Sequence, residues 1–334
     1  MSEHSKKLEY VRRICPVTGK GAALNTEKFG VNGTDLGIPF SDGENLYLLF
    51  GDTFSQFWQK GRWINNCLAR AERFDGKKLR LKDFICGEDG LAKELVAAKK
   101  ADKEQMTCIP TGAVAIDGIF YMFVMSIVTW SPRWTIEDCA LYISRDKGKS
   151  WKKSSEVHFP KEEAPGFGQV FPLQKDGYVY LFGITEARDG ACKLARVPKE
   201  KIDNFEKYEY YIGGEGNFPI FMSGKEGLAR IKNNRKAEII EAPCGEMSVM
   251  YNEYLQKYLA VYLGTDSPDI VFRTADRPWG PWSEKEIVAL QKDYSGLYGG
   301  FVHEKLVAEG GKSVFFMMSE WQPYNVSLFE MRFK

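Results

Sequence analysis

Short apolar runs, rich in aromatic and β-branched side chains and bounded by turns or polar breaks, punctuate the chain. Five of them share one look: residues 45–50 (NLYLLF), 119–124 (IFYMFV), 178–182 (YVYLF), 258–263 (YLAVYL) and 313–318 (SVFFMM). Three follow the pairs Asp42-Gly43, Asp117-Gly118 and Asp176-Gly177, and a fourth follows Gly310-Gly311. Such pairs close tight hairpins, because glycine takes positive φ without penalty. A candidate strand precedes each run, at 34–40, 112–116, 169–173, 247–251 and 300–306. Another follows, at 67–74, 139–144, 193–197, 269–274 and 325–333. Strand, hairpin, strand and a further strand, recurring five times, predict an all-β, five-bladed β-propeller. The repeat is uneven, about 55 to 80 residues, so loop lengths differ between blades. A strand from 8–14 is expected to close the last blade and remove its free edge. No linker rich in Pro, Gly or Ser divides the chain, so residues 1–334 are read as one domain. Residues 88–105 break the β pattern. There Leu91, Leu95 and Ala98 fall at helical spacing and predict a short surface helix. A helical turn is expected at 199–205, after Pro198.

Composition narrows the function. Hydrophobic residues are 44% and aromatic residues 14% of the 334, enough for a large core and well suited to strands. Lys plus Arg number 46 against 45 Asp plus Glu, so no nucleic-acid partner is expected. No apolar run approaches the length of a membrane span, so no membrane partner is expected either. Residues 1–13 are polar and charged and lack the apolar stretch of a secretory signal. The seven cysteines are scattered and never in C-x-x-C spacing, which points to reduced thiols packed as small hydrophobes. Both features predict a cytoplasmic protein. Phosphate-binding G-x-x-x-x-G-K-[ST], zinc-binding H-E-x-x-H and nucleophilic G-x-S-x-G motifs do not occur. No cofactor is expected. A structural calcium ion in the funnel is compatible with the chain, although no ligand cluster is readable.

A propeller presents its site in the central funnel, so acids on or beside inner strands carry the most information. Asp35, in Gly33-Thr34-Asp35-Leu36-Gly37, opens the first blade. Asp52, in Gly51-Asp52-Thr53-Phe54, ends the apolar run of the next strand. Glu246 opens the fourth blade. Taken singly, each has a plainer role as a turn cap or an idle surface acid. Together they form the constellation a glycosidase needs, with one acid to protonate the leaving oxygen and one base to activate water. Acids on opposite walls favour the wider separation that goes with inversion. Tyr298 and His303, at the start of the last blade, are candidate sugar contacts. So are Trp58, Trp130, Trp321 and Tyr324, whose rings suit the apolar faces of sugars. Trp279 and Trp282 read as turn packing.

Residues 144–151 fit S-x-D-x-G-x-x-W, the pattern called an Asp box in sialidase-type propellers, a structural device rather than a catalytic one. More specifically, GTDLGIPFSDGENLYLLFGDTF, GEMSVMYNEYLQKYLAVY, YGGFVHEKL and FFMMSEWQPYNVSLFEMRF resemble a five-bladed propeller family long labelled a domain of unknown function. Some of its members are endo-D-arabinanases, and arabinanase and fructosidase propellers are more distantly similar. The resemblance implies a glycoside hydrolase acting on furanose-containing glycans. It maps paired catalytic aspartates onto Asp35 and Asp52 and a recurrent acid onto Glu246. With no export signal in sight, a short oligosaccharide or glycoside is the expected substrate. The alternative is a non-catalytic glycan-binding propeller, which would not need three acids. A protein-interaction propeller is a further reading.

Overall fold

Strands that double back at glycine-bearing hairpins build the computed structural model, which describes residues 7–334. They form five antiparallel sheets, the blades. Blade 1 runs from the axis outward through Gly33–Ser41, Leu46–Gln56, Cys67–Ala71 and Leu81–Phe84, with Lys60–Ile64 extending its second strand. Blade 2 holds Thr107–Ile116, Ile119–Thr129, Thr135–Ser144 and Lys152–Pro160. Blade 3 starts with Gln169–Lys175, Tyr178–Ile184 and Cys192–Pro198 and continues through Glu209–Glu215 and Phe218–Ser223. Blade 4 comprises Cys244–Asn252, Lys257–Gly264, Asp269–Ala275 and Glu286–Ala289. Blade 5 comprises Leu297–Ala308, Ser313–Glu320 and Asn325–Phe333, with Leu8–Pro16 as its outermost strand. The first strand of each blade packs on those of its neighbours, closing a ring.

The turn chemistry behaves as the sequence predicts. Asp117 and Gly118 have φ of 50° and 80°, and Asp176 and Gly177 have 51° and 80°, the paired positive values of a two-residue hairpin. Closure also follows expectation. Leu8 lies opposite Phe333 and Pro16 opposite Ser327, so both ends of the chain share one blade. Arg12 Nε donates to Glu330 Oε2 at 2.8 Å across this pairing. Aromatic contacts join the blades: Phe40–Phe120 at 5.1 Å, Phe182–Trp282 at 6.3 Å, Phe272–Phe333 at 5.7 Å and Phe74–Phe315 at 4.8 Å. In the turn after Ser144, Asp146 accepts from the Ser150 backbone N–H at 2.9 Å, and Trp151 Nε1 donates to the Gly148 carbonyl at 3.0 Å. All seven cysteines are free thiols, five of them buried. Among the described residues no helix is long and apolar enough to cross a membrane.

Residues 88–105 are not the expected surface helix but an irregular strap across the rim of blades 1 and 2. Its backbone is committed elsewhere. The Ala92 N–H bonds the Phe29 carbonyl, the Lys93 N–H bonds the Ile85 carbonyl, and Leu95 and Val96 N–H groups both donate to Asn66 Oδ1 at 3.0 and 2.9 Å. Asn66 Nδ2 donates in turn to the carbonyls of Val96 at 2.9 Å and Cys108 at 2.7 Å. A helix would need those same backbone groups for its own ladder. At 199–207 two short 3-10 turns follow Pro198, close to the expected position. Asn66→Ala is expected to lower stability by about 2–4 kcal/mol, because it leaves several buried backbone groups without partners. Urea unfolding should show this as a lower midpoint with an unchanged slope.

Candidate active site

A cavity of about 750 Å³ occupies the funnel, and residues from all five blades line it. Asp35 reaches it through an irregularity in the innermost strand of blade 1. The register with the next strand shifts on both sides of Leu36, and Leu36 and Gly37 carry φ of 69° and 71°. A bulky non-glycine residue in this region is uncommon and strained. The Leu36 N–H is held by Ser319 Oγ at 2.9 Å, and a Cβ on Gly37 would meet Val326 Cγ1 at 2.9 Å. The bulge turns the Asp35 carboxylate toward blade 5. There Oδ2 accepts from the Tyr298 hydroxyl at 2.8 Å and the Tyr324 hydroxyl at 2.9 Å. Its Oδ1 packs against the place a Cβ on Gly51 would take, so the residue before Asp52 has room only for glycine.

Asp52 sits on the neighbouring strand. Its Oδ1 accepts from Trp63 Nε1 at 2.8 Å and Thr107 Oγ1 at 2.6 Å. Thr107 is the first residue of the inner strand of blade 2, so Asp52 links two blades. Glu246 lies beside a register shift at the start of blade 4. Its Oε1 accepts from Arg188 Nε at 2.8 Å and Nη2 at 2.5 Å. The Arg188 guanidinium also faces the Trp134 and Tyr298 rings at 5.3 and 5.5 Å. A continuous chain therefore runs from Glu246 through Arg188 and Tyr298 to Asp35.

Burial dominates the electrostatics. It pushes the Asp35 carboxyl up to about 6, against the pull of the two tyrosine hydrogen bonds, with Glu246 adding to the rise and Arg188 opposing it. It pushes Asp52 up to about 7, with the Thr107 and Trp63 hydrogen bonds opposing and the Asp35 charge adding. Both tyrosine phenols are driven well above their usual value by burial, so they remain donors. Two acceptor atoms of this set, Asp35 Oδ1 and Glu246 Oε2, are buried without a hydrogen-bond partner among the described residues, as is Oε1 of the wall residue Gln291. Among the described residues no three acidic, histidine or cysteine side chains converge closely enough to hold a metal ion, so the acids surround a space rather than a point.

The structure brings together Asp35, Asp52, Glu246, Tyr298, Trp130, Trp321 and Tyr324 on one cavity wall. Trp130 and Trp321 are 41% and 49% exposed; Trp130 stacks one face on Trp134 at 5.2 Å, leaving the other to a ligand. Trp58 does not itself line the cavity; its ring meets that of the mouth residue Trp321 edge-on at 5.9 Å. His303 does not line it either. It lies farther along the same strand as Tyr298, off the cavity, where Nδ1 accepts the Lys305 N–H at 3.1 Å. Burial lowers its pKa to about 4, so it is neutral. Sequence reasoning missed Trp63, Thr107, Trp134 and Arg188. All four come from loops or strand ends whose sequence carries no periodic signal.

The fold and site define a class: a five-bladed propeller with a carboxylate-lined axial cavity. Solved structures of this shape include a family 117 glycoside hydrolase produced by Zobellia galactanivorans, at TM-score 0.55 and 8% identity over 98% of this chain and 91% of that one. They also include a GH43_1 enzyme from Xanthomonas citri, at TM-score 0.53 and 14% identity over 93% and 89%. The chain itself belongs to the family described as Domain of unknown function (DUF4185), which matches residues 20–330. Two fungal proteins are similar over most of their length. Notoamide biosynthesis cluster protein J of Aspergillus sp. (strain MF297-2) is 28% identical over 315 residues, 88% of this chain and 81% of that protein. Notoamide biosynthesis cluster protein J' of Aspergillus versicolor is 30% identical over 325 residues, 88% and 82%.

Carboxyls whose folded pKa is raised bind more protons in the native state than in the unfolded chain between about pH 4 and pH 7. Their full contribution is present below the unfolded pKa and is lost as pH rises through 6 to 7. Asp52→Asn keeps an oxygen for Trp63 and Thr107 but cannot ionise. It should raise the melting temperature at pH 8 relative to wild type, with the difference vanishing near pH 4. An equal effect at both values would contradict the raised pKa.

Proposed function

We propose that this protein is a glycoside hydrolase that cleaves a short furanose-containing glycan or glycoside in its funnel. The observation that carries the reading is the pair of aspartates on adjacent strands of blade 1, Asp35 half-buried and Asp52 buried, both lining the cavity and both pushed up by burial, to about 6 and about 7. Two carboxyls whose environments set different affinities for a proton are the usual mark of an acid and a base. Asp52, the more proton-retentive, delivers its proton to the glycosidic oxygen as the bond to the anomeric carbon breaks. Asp35 takes a proton from the water that attacks that carbon. Glu246, paired with Arg188, holds that guanidinium on the cavity wall, where it can meet a sugar hydroxyl. Trp130 and Trp321 offer the faces for stacking. The likeness in shape to glycoside hydrolases supports the class, and relatives named for a biosynthesis cluster support a small substrate over a polymer. A cytoplasmic setting belongs to the same proposal and rests on the seven free thiols.

A panel of aryl furanosides and pyranosides tests the reading. On a substrate the wild type cleaves, Asp35→Asn and Asp52→Asn should each cost at least about 10²-fold in kcat. Glu246→Gln should cost about tenfold or more, mostly in KM, through a lost charge-assisted contact. Near-wild-type rates in both aspartate variants would remove the assignment, and glycan binding without hydrolysis would leave a lectin. The pH profile of kcat/KM should be a narrow bell, rising as Asp35 ionises near 6 and falling as Asp52 ionises near 7. Because the two carboxyls interact, these limits belong to the pair.

A further inference from the structure

Much of the polar equipment of the cavity is engaged within the protein. The Tyr298 and Tyr324 hydroxyls are committed to Asp35, the Trp63 indole N–H to Asp52, and Arg188 to Glu246. Thr111 Oγ1 donates to the Val170 carbonyl at 2.9 Å, and Gln169 Nε2 donates to the Glu186 carbonyl at 3.2 Å. Asp52 Oδ2 and the indole N–H groups of Trp130, Trp134 and Trp321 have no hydrogen-bond partner among the described residues and remain for the hydroxyls of a sugar. A chain of sugars would leave many hydroxyls buried without partners, and each such group is costly. Yet the cavity, about 750 Å³, is of the size that holds a drug-sized ligand.

The remaining wall is apolar, and its position is regular. Three of the five inner strands pass from a polar group near their start to an apolar one two or three residues on. Asp35 is followed by Ile38, Gln169 by Phe171 and Tyr298 by Phe301, all of them on the cavity wall. At the rise of a strand that offset is roughly 7–10 Å along the axis. Met106, Met125 and Met247 add three flexible, polarisable side chains from two blades to the same wall. Methionines at a binding surface adapt to irregular apolar shapes.

We infer that the inner part of the funnel binds an apolar group carried by the ligand, and that the substrate is a single sugar linked to a hydrophobic aglycone rather than an oligosaccharide. The inference rests on the hydrolase reading for the bond that is cut, but not for the apolar chamber. Such an aglycone is held by water exclusion alone, while the sugar meets the acids and the unpaired indole N–H groups. Hydrolysis at that point releases a neutral apolar alcohol or phenol and a free sugar.

The test uses the sugar best hydrolysed as its aryl glycoside, prepared with methyl, butyl, hexyl and octyl aglycones. The value of kcat/KM should rise about fourfold per methylene as each is buried, until the chamber is full. A flat series, or a fall with length, overturns the inference. Met106→Gln, nearly isosteric at a partly exposed position, should flatten the series. Ile109→Asn should do the same from a buried position, with its melting curve confirming that it folds. A second arm needs no turnover: calorimetry with 2-naphthol should show binding with a negative heat-capacity change, weakened at least tenfold in the Ile109 variant. Naphthol binding without hydrolysis of any glycoside would discard the hydrolase reading and keep the apolar chamber. Failure of naphthol to bind, beside hydrolysis of glycosides indifferent to chain length, would discard the chamber and keep the hydrolase.

Discussion

A carboxylate removed from water is tolerable only where other groups take over its solvation, and the funnel of this propeller is organised around that constraint at Asp35. Its replacement solvent is a pair of tyrosine hydroxyls, both from blade 5, while Asp35 belongs to blade 1. The site is therefore built across the seam at which the ring closes. The strained backbone at Leu36 serves the same end, since a regular strand would not turn this side chain to that seam. Ser319, also of blade 5, holds the strained N–H. Position, strain and solvation of one carboxylate all come from the neighbouring blade.

Around that point the charges are balanced unevenly. Arg188 neutralises Glu246 and eases Asp35 across the Tyr298 ring, but it does not reach Asp52 with a hydrogen bond. Asp52 is left with neutral donors, an indole and a hydroxyl, and with the charge of Asp35 nearby. That asymmetry gives two residues of the same type on adjacent strands different partners. It arises from which loops arrive at each, because the strands alone would treat them alike.

Legibility in the sequence followed the same division. Inner and second strands were readable because aromatic and β-branched runs follow Asp-Gly and Gly-Gly turns, and the chain takes positive φ at Asp117-Gly118, Asp176-Gly177 and Gly310-Gly311. Asp35, Asp52 and Glu246 stood out as acids intruding on apolar strands. Arg188, Trp63 and Trp134 did not, since no local pattern says that a loop arginine will meet a glutamate from the next blade. The helix expected at 88–105 failed because three apolar residues at helical spacing also suit a strap that is pinned by Asn66. His303 failed because the register of its strand shifts twice, between Gly299 and Phe301 and again between Val302 and Val307. A single extra residue moves a side chain to the other face.

The pairing of Leu8–Pro16 with Asn325–Phe333 has a kinetic side. Contacts between the two extremes of a chain carry the greatest loop-closure cost, and folds that depend on them form slowly. On the ribosome, blades 1 to 4 can condense in turn as they are made, but the strand Leu8–Pro16 must wait for its partner Asn325–Phe333. Until then Asp35 lacks both of its tyrosines, which also come from blade 5. The emerging protein thus carries a folded majority and an unfinished site, and binding competence arrives in one late step.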